Sequence, residues 1–392
     1  MSLDETLAVT TAQEDEEYLF AFKQNMISCV PLVLKATIEL GILKILFESS
    51  AQLSPTQIAS RLSIKNPDAG GTIDRILRLL ASFSFLSCTL TQDKAGRPER
   101  MYGLGPLSKY YVNQRSGPRF PKLGTDSPGP VPGSTLEPDR TGNRSPLSMA
   151  PWLLLIFDEV SLRLWFYLKD AVIQGEGDPF KLANDATLFD YTGTDPRYNN
   201  HFNNAMKCMS TIFMGKIMNT YHGFENAKTV VDVGGGVGEC LKLILSKHPH
   251  LRGINFDLPH VVKNGLSYPG LEHVGGSFVD DPIPKGDILL AKWQFHSFTD
   301  EFVIQLLKKC WNALPASGKV VIIDPVSPEY PGTDLVTRAT FTSDMVMLAL
   351  PPGGKDRTLW EVEVVARAAG FSSPKVSCQV LNMWALELFK TA

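Results

Sequence analysis

Apolar side chains recur at helical spacing through the N-terminal part of the chain. They do so over residues 17–48, again over 53–62 behind the capping residue Ser54, and most strongly over 72–86. The polar run SCTLTQDKAGRPERMYGLG that follows predicts a small hairpin. Helices followed by a two-stranded wing predict a mainly α winged-helix domain at residues 1–112.

A winged helix either places its third helix in a groove of DNA or serves as a structural or dimerisation module. The third helix here offers only Arg75 and Arg78 among many apolar residues, and the chain has a formal net charge of -3. Neither feature is the basic footprint that nucleic acid requires. We therefore favour the dimerisation role over a regulator of transcription, and expect no nucleic-acid partner.

The pattern changes twice after residue 112. Residues 113–149 are dense in Pro, Gly, Ser and charge, so they cannot bury enough apolar surface to offset their ordering entropy, and we predict a flexible insertion. Helical patterns resume at 152–175 and 202–221. From residue 229 short β-rich runs alternate with helices and end in a hairpin pattern at 374–390. Residues 150–392 are thus predicted to contain an α/β domain, a mostly parallel sheet with helices on both faces.

Composition narrows the class of protein. A chain of 392 residues with 44% hydrophobic and 20% charged residues is expected to form two globular domains. Its six cysteines show neither C-x-x-C nor zinc-finger spacing, so we expect free thiols and no metal. The acidic N-terminus lacks the apolar core of a signal peptide, and no apolar run reaches membrane-spanning length. We expect a cytoplasmic protein that does not associate with membranes.

The most informative stretch is VVDVGGGVGECLKLI at 230–244, a strand that enters a glycine turn and then a helix. Such a turn lets the backbone approach a ligand closely, and Asp257, which ends the next strand, is placed to accept hydrogen bonds from ribose hydroxyls. The glycines fall at Gly234, Gly236 and Gly238, whereas a dinucleotide fingerprint would have its third glycine at Glu239. A carboxylate there opposes a pyrophosphate. S-adenosylmethionine, which has no phosphate, is therefore favoured over a dinucleotide or an empty tight turn.

A histidine lies beside the same edge of the predicted sheet. Lys292 and Trp293 end a strand, and His296 follows in the loop before the next helix. Ligands bind at the carboxyl ends of strands in such sheets, which makes His296 a candidate catalytic base.

At this point the chain resembles the plant caffeic acid O-methyltransferase-like family. The matching segments are VVDVGGGVG, GINFDLPHVV, YPGLEHVGG, KWQFHSFTDE, ALPASGKVVIID and PPGGKDRT. The resemblance implies a Rossmann-like methyltransferase domain, an N-terminal winged-helix dimerisation domain, a homodimer, S-adenosylmethionine as cofactor and a small aromatic acceptor.

The resemblance also implies the catalytic residues. The family's histidine, which removes the acceptor proton, matches His296, and the two glutamates that flank it in the family match Asp324 and Asp356. Both positions hold the shorter aspartate, so each carboxylate has one methylene less with which to reach the imidazole.

For the cofactor, the resemblance assigns contacts to Gly234, Asp257 and Lys292. An Asp-Met pair that grips the adenine in the family is Ser277-Phe278 here. Phe278 can pack on a purine face, whereas Ser277 lacks the carboxylate acceptor. Asp280 or Asp281 would supply it if the loop were shifted.

The family's acceptor pocket falls on aromatic and thioether side chains, which suit a flat ring: Tyr198, Phe202, Met206 and Met347. An aspartate after the family's histidine is Ser297 here, and an asparagine before its PGG motif is Pro351. The loss of these polar groups indicates an acceptor with fewer hydroxyls than a catechol-type acid.

The resulting hypothesis is an O-methyltransferase of a phenylpropanoid, flavonoid or related phenolic. Two alternatives stay open from the sequence. One is N-methylation of an aromatic or alkaloid amine, since an amine needs less help from a base, and the other is a non-catalytic dimeric relative.

Overall fold

A computed structural model describes residues 12–49, 51–62, 66–93, 96–108, 111, 149–175 and 178–391. The N-terminal part holds five helices and an antiparallel hairpin: α1 (Ala12–Met26), α2 (Cys29–Glu39), α3 (Ile42–Glu48), α4 (Pro55–Arg61), α5 (Ala69–Ser82), β1 (Leu86–Gln92) and β2 (Pro98–Leu104). The predicted arrangement of helices followed by a two-stranded wing is therefore present, with five helices in the described residues where the sequence pattern predicted three.

The helical pattern over 17–48 is divided among three helices rather than one. Gly41 at φ +79° separates α2 from α3, in a left-handed conformation that glycine adopts without a steric penalty. The next helix, α4, begins with a capping box in which Ser54 and Gln57 satisfy each other's backbone N–H groups.

A run of helices joins the hairpin to the sheet. It comprises α6 (Ala150–Ile156), α7 (Glu159–Arg163), a 3-10 turn (Leu164–Tyr167), α8 (Leu168–Gln174), α9 (Pro179–Asn184), α10 (Leu188–Thr194) and α11 (Pro196–Thr220). The helical pattern at 152–175 is thus broken, and the Asp158 carboxylate accepts the Val160 N–H to start α7 at the break.

Seven strands form the sheet: β3 (Thr229–Val233), β4 (Arg252–Asp257), β5 (Leu271–Gly275), β6 (Ile288–Lys292), β7 (Lys319–Pro325), β8 (Lys375–Val380) and β9 (Met383–Phe389). Their order is β5-β4-β3-β6-β7-β9-β8, with β3 to β7 parallel and the closing hairpin antiparallel. The strand order reverses between β3 and β6, the position where ligands bind in open α/β sheets. The predicted α/β architecture is confirmed.

Helices cover both faces of this sheet: α12 (Glu239–Lys247), α13 (Pro259–Val262), α14 (Asp300–Ala313), α15 (Leu335–Ala349) and α16 (Leu359–Ala368). Strand side chains alternate between two cores. Val230, Leu290 and Val321 belong to one, whereas Val231 and Leu289 belong to the other. The first core continues into α5, and α1 and α5 both pack against α15, so the N-terminal helices lie directly on the domain that carries the sheet.

Several expectations concern absences or masked segments. The predicted flexible insertion at 113–149 lies outside the described residues, except for Met149. In the described part of the chain, no helix is long and apolar enough to cross a membrane, and no cluster of His, Cys, Asp or Glu is placed to bind a metal. All six cysteines have free thiols.

The central strand β6 provides a test of the packing. Leu290→Ala should lower the free energy of unfolding by about 2–5 kcal/mol, because Leu290 is fully buried and the substitution leaves a cavity. Urea titration followed by circular dichroism measures the change. Leu90→Ala is the control, since Leu90 is 44% exposed on β1, and equal losses for the two variants would contradict the packing described here.

Candidate active site

The turn between β3 and α12 is built from glycines, three of which adopt positive φ angles. Gly234, Gly236 and Gly238 have φ values of +72°, +61° and +90°. A Cβ on Gly235 would lie 2.2 Å from Asn255 Oδ1, whereas nothing lies within 4 Å of a Cβ position on Gly236. The turn is therefore packed tightly against the sheet on one side and open on the other, as close backbone approach to a ligand requires.

Asp257 lies at the end of β4, beside this turn. Its carboxylate accepts the N–H groups of Gly236 and Leu258, each at 2.7 Å, which fixes its orientation. Burial raises the pKa of Asp257, and the two backbone hydrogen bonds oppose that rise. A carboxylate oxygen accepts more than one hydrogen bond, so Asp257 has acceptor capacity left for hydroxyl groups.

Buried acceptors without partners surround the turn. Oxygen atoms of Asp232, Glu239 and Asn255 are buried and have no hydrogen-bond partner among the described residues. Burial raises the pKa of Asp232 to about 7, with the ammonium group of Lys292 opposing the rise. Burial also lowers the pKa of Lys292. The acidic side chains around the turn, Asp232, Glu239 and Asp257, suit a cofactor that has cationic groups and ribose hydroxyls, such as S-adenosylmethionine.

The segment after β5 contains Ser277 and Phe278, the pair predicted to contact the adenine. The Ser277 N–H donates to Asp281 Oδ2 at 2.8 Å, and the Ser277 hydroxyl accepts the Val279 N–H. Phe278 packs edge-on against Phe298. A carboxylate is therefore present next to position 277, supplied by Asp281 rather than by residue 277 itself.

Several contacts fix the loop after β6, which carries His296. Trp293 has φ +57°, a conformation that is strained for a bulky residue and that concentrates at functional sites. Its indole lies 6.0 Å from the His296 ring in a stacked arrangement, and the Lys292 ammonium lies 3.5 Å from the centroid of the indole. Gln294 Nε2 donates to the Gly234 carbonyl at 3.1 Å, which connects this loop to the glycine turn.

The two aspartates contact His296 in different ways. Asp356 Oδ1 lies 3.1 Å from His296 Nδ1, whereas Asp324 Oδ2 accepts the backbone N–H groups of Phe295 at 3.0 Å and His296 at 3.3 Å. The shorter side chain at 356 thus reaches the imidazole, and the one at 324 holds the backbone instead. Burial raises the pKa of Asp324 to about 6, and burial also raises that of Asp356, opposed by its hydrogen bond to His296.

The four predicted acceptor-pocket residues are not equivalent. Tyr198 is fully buried and its hydroxyl lies 2.9 Å from the Ser161 hydroxyl, so the structure places it in the core. Phe202 and Met206 are partly buried on the same helix, α11, and Met347 is buried on α15. A cavity of about 320 Å³ between α6 and α11 contains none of the four; its lining includes Pro151, Leu154, His201, Lys207 and Thr211.

Sequence reasoning missed two groups that hold the loop. The Arg357 guanidinium donates to the carbonyls of Phe295 and Phe298, and the Ser297 hydroxyl donates to the Trp293 carbonyl at 3.0 Å. Arg357 directly follows Asp356 in the PPGGKDRT segment, and this adjacency was the only signal in the sequence. The sequence does not show the direction in which the Arg357 side chain points.

Solved structures share this fold. Human N-acetylserotonin methyltransferase, in complex with S-adenosylmethionine, is 19% identical, has a TM-score of 0.58, and is matched over 98% of this chain and 99% of its own. An O-methyltransferase family 2 protein from Planctomyces limnophilus, in complex with apigenin, is 18% identical with a TM-score of 0.60, over 98% of each chain. The architecture is that of the α/β methyltransferases.

Sequence comparison identifies the family. Residues 165–372 match the O-methyltransferase domain, and residues 24–114 match the O-methyltransferase dimerisation domain. Caffeic acid 3-O-methyltransferase 1 of Ocimum basilicum is 44% identical over 97% of both chains, and the caffeic acid 3-O-methyltransferase of Prunus dulcis is 44% identical over 99% of both. The chain belongs to this family of S-adenosylmethionine-dependent O-methyltransferases, which decides against the non-catalytic alternative.

The buried acid under the glycine turn predicts a dependence of stability on pH. An unfolded aspartate titrates at about 3.9, whereas Asp232 titrates at about 7 in the fold. Between these values the folded state binds more protons, so its stability falls as pH rises and the loss is complete above pH 7. Asp232→Asn removes this loss and should gain a few kcal/mol over the wild type between about pH 4 and 7.

Urea titrations of the cofactor-free protein at several pH values measure this gain. The exposed Asp185 provides the control through Asp185→Asn, which should show no such trend. A difference between Asp232→Asn and the wild type that stays constant with pH would refute the assignment.

Proposed function

We propose that the chain transfers a methyl group to a phenolic hydroxyl of a small aromatic acceptor, with His296 as the general base. The observation that carries the proposal is the hydrogen bond between Asp356 Oδ1 and His296 Nδ1 at 3.1 Å. With Nδ1 held in this way, Nε2 is the nitrogen left to accept a proton, and it has no hydrogen-bond partner among the described residues.

The proposed cofactor contacts come from the ends of β3 and β4, which are neighbours in the sheet, and from the segments that follow β5 and β6. The backbone of the open glycine turn, including Gly234, contacts the cofactor. The Asp257 carboxylate accepts hydrogen bonds from the ribose hydroxyls. Phe278 packs on the adenine, with the carboxylate of Asp281 beside Ser277 as the polar contact. The remaining proposed cofactor contact is Lys292, which is buried at the end of β6. S-adenosylmethionine supplies an electrophilic methyl group on its sulfonium.

The proton transfer is the step that the protein's own residues perform. A phenol has a pKa of about 10 and a histidine of about 6.5, so the hydroxyl loses its proton to His296 Nε2 as the new bond forms. Asp356 stabilises the imidazolium that results and fixes the ring tautomer. Asp324 holds the loop backbone at residues 295 and 296, which keeps the ring in place.

The acceptor class rests on the relatives and on side-chain chemistry. The relatives with 42–44% identity bear the name caffeic acid 3-O-methyltransferase, which places a phenolic ring in the substrate class that we propose. Phe202, Met206 and Met347 offer flat or polarisable surfaces for such a ring. Tyr198 lies on the same helix as Phe202 and Met206 but packs in the core against the rings of Phe180 and Tyr191, so we propose for it a supporting role.

A homodimer is part of the proposal. The match of residues 24–114 to a dimerisation domain supports it. The division of the chain into a dimerisation domain at 1–112 and a catalytic part at 150–392 likewise stays a prediction, as does the cytoplasmic location.

The pairing of His296 with Asp356 is testable with an isosteric substitution. Asp356→Asn should lower kcat for a phenolic acceptor by about 10⁴-fold, because an amide stabilises neither the required tautomer nor the imidazolium. Affinity for S-adenosylmethionine, measured by calorimetry, should stay close to that of the wild type. Glu387→Gln, which alters a buried carboxylate bonded to Tyr221, is the control and should retain its kcat. A kcat for Asp356→Asn within a few-fold of wild type would exclude the proposed role.

The cofactor site is testable without turnover. Asp257→Asn should weaken binding of S-adenosylmethionine by about 10- to 100-fold, since a hydrogen bond to a charged group contributes about 1.5–3 kcal/mol. Isothermal titration calorimetry measures the dissociation constant. Asp185→Asn changes an exposed aspartate at the end of α9, outside the proposed cofactor site, and should bind normally; unchanged affinity in Asp257→Asn would remove Asp257 from the site.

A further inference from the structure

The two arginines of α5 turn towards the sheet domain rather than to solvent. Arg75 Nε lies 3.0 Å from Asp344 Oδ2, and its terminal nitrogen lies 2.8 Å from Asp344 Oδ1 and 2.7 Å from the Asp344 carbonyl. Arg78 lies 3.5 Å from the same carboxylate. The Asp344 side chain on α15 is 1% exposed, so Arg75 holds a buried carboxylate at both oxygens and the backbone carbonyl of the same residue.

Asp344 connects this ion pair to the catalytic pair. Its Oδ1 accepts the backbone N–H of Asp356 at 2.9 Å, and Asp356 Oδ1 in turn lies 3.1 Å from His296 Nδ1. The path from Arg75 to the imidazole therefore runs through two consecutive hydrogen bonds and one ion pair. Each carboxylate in the path is fully buried.

Two buried carboxylates so close together need a fixed cation. A negative charge on Asp344 opposes one on Asp356, and Asp324 adds a third carboxylate beside His296. Arg75 and Arg78 compensate the charge of Asp344 from the N-terminal domain. Without them, the Asp344 carboxylate would be buried with no compensating charge, and its hydrogen bond to the Asp356 backbone would change.

We propose that Arg75, acting through Asp344, is a positioning residue for the Asp356–His296 pair. The inference rests on the proposed function, because it assigns the N-terminal helix α5 a part in orienting the base. Arg75 touches neither acceptor nor cofactor. It sets the position of the Asp356 backbone and hence the direction from which the carboxylate meets the ring.

A purely structural clamp between α5 and α15 is the competing explanation. The chain offers a matched control for it, since Arg338 on α15 donates to the Ser82 carbonyl of α5 at 2.9 Å and lies 5.2 Å from the centroid of the Phe83 ring. Arg338 thus bridges the same two helices without contacting Asp344 in any of these interactions. Its loss reports on the interface alone.

The test compares two phenolic acceptors that are built on the same ring system and differ in the pKa of the hydroxyl. One is a phenol with a pKa of about 10, and the other is a nitro-substituted phenol that is ionised at the assay pH and needs no base. Values of kcat for both are measured in Arg75→Met, Arg75→Lys, Arg338→Met and His296→Ala, together with thermal midpoints. The full-length protein is used throughout.

Arg75→Met should lower kcat for the ordinary phenol by about a hundredfold, as a misplaced group does, and change kcat for the ionised phenol little. Arg75→Lys, which keeps the charge, should recover part of the loss. Arg338→Met should lower the rates for both phenols by the same factor. Equal losses on both acceptors in Arg75→Met would overturn the proposal. If Arg75→Met fails to fold, the ratio of the two rates in Arg75→Lys decides in the same way.

His296→Ala separates this inference from the proposed function. If His296→Ala discriminates between the two phenols and the Arg75 variants do not, only the positioning role fails. If His296→Ala treats both phenols alike, the proposed function itself fails.

Discussion

The hydrogen bond between the Asp356 carboxylate and the His296 ring is the interaction on which the site depends. Asp356 has no exposure to water, and a buried carboxylate is tolerated only where hydrogen bonds and opposite charges replace its hydration. The imidazole is one such partner, and the contact engages Nδ1 and leaves Nε2 as the other ring nitrogen. The same bond therefore replaces part of the lost hydration of a buried carboxylate and, in the mechanism that we propose, orients the base.

The rest of the architecture supplies the geometry that this bond requires. Parallel strands β3 and β6 are neighbours at the point where the strand order reverses, so the glycine turn and the His296 loop meet at one edge of the sheet. The strained Trp293 and the contact of Gln294 with Gly234 hold the two segments together. Asp344 accepts hydrogen bonds from both the Asp356 backbone and the Arg75 side chain, so α5 is connected to the site through one buried carboxylate.

Local sequence patterns predicted most of the fold. Strand–helix alternation, the glycine turn and the Ser54 cap are decided by neighbouring residues, and each is present in the structure. Side-chain direction is not a local property. The family resemblance placed Asp324 and Asp356 near His296, yet only packing decides that Asp324 binds backbone N–H groups. The contact of Arg75 with Asp344 joins positions 269 residues apart. Likewise, apolar periodicity cannot show that Tyr198 is a core residue.

Chemical rescue tests the central claim most directly. His296→Ala, loaded with S-adenosylmethionine and a phenolic acceptor, is followed through a single turnover at increasing concentrations of imidazole. The account predicts very slow methyl transfer without imidazole and a rate that rises with the concentration of its neutral form, because the added base takes the place of the missing ring. Methyl transfer at the wild-type rate in His296→Ala without imidazole would contradict it.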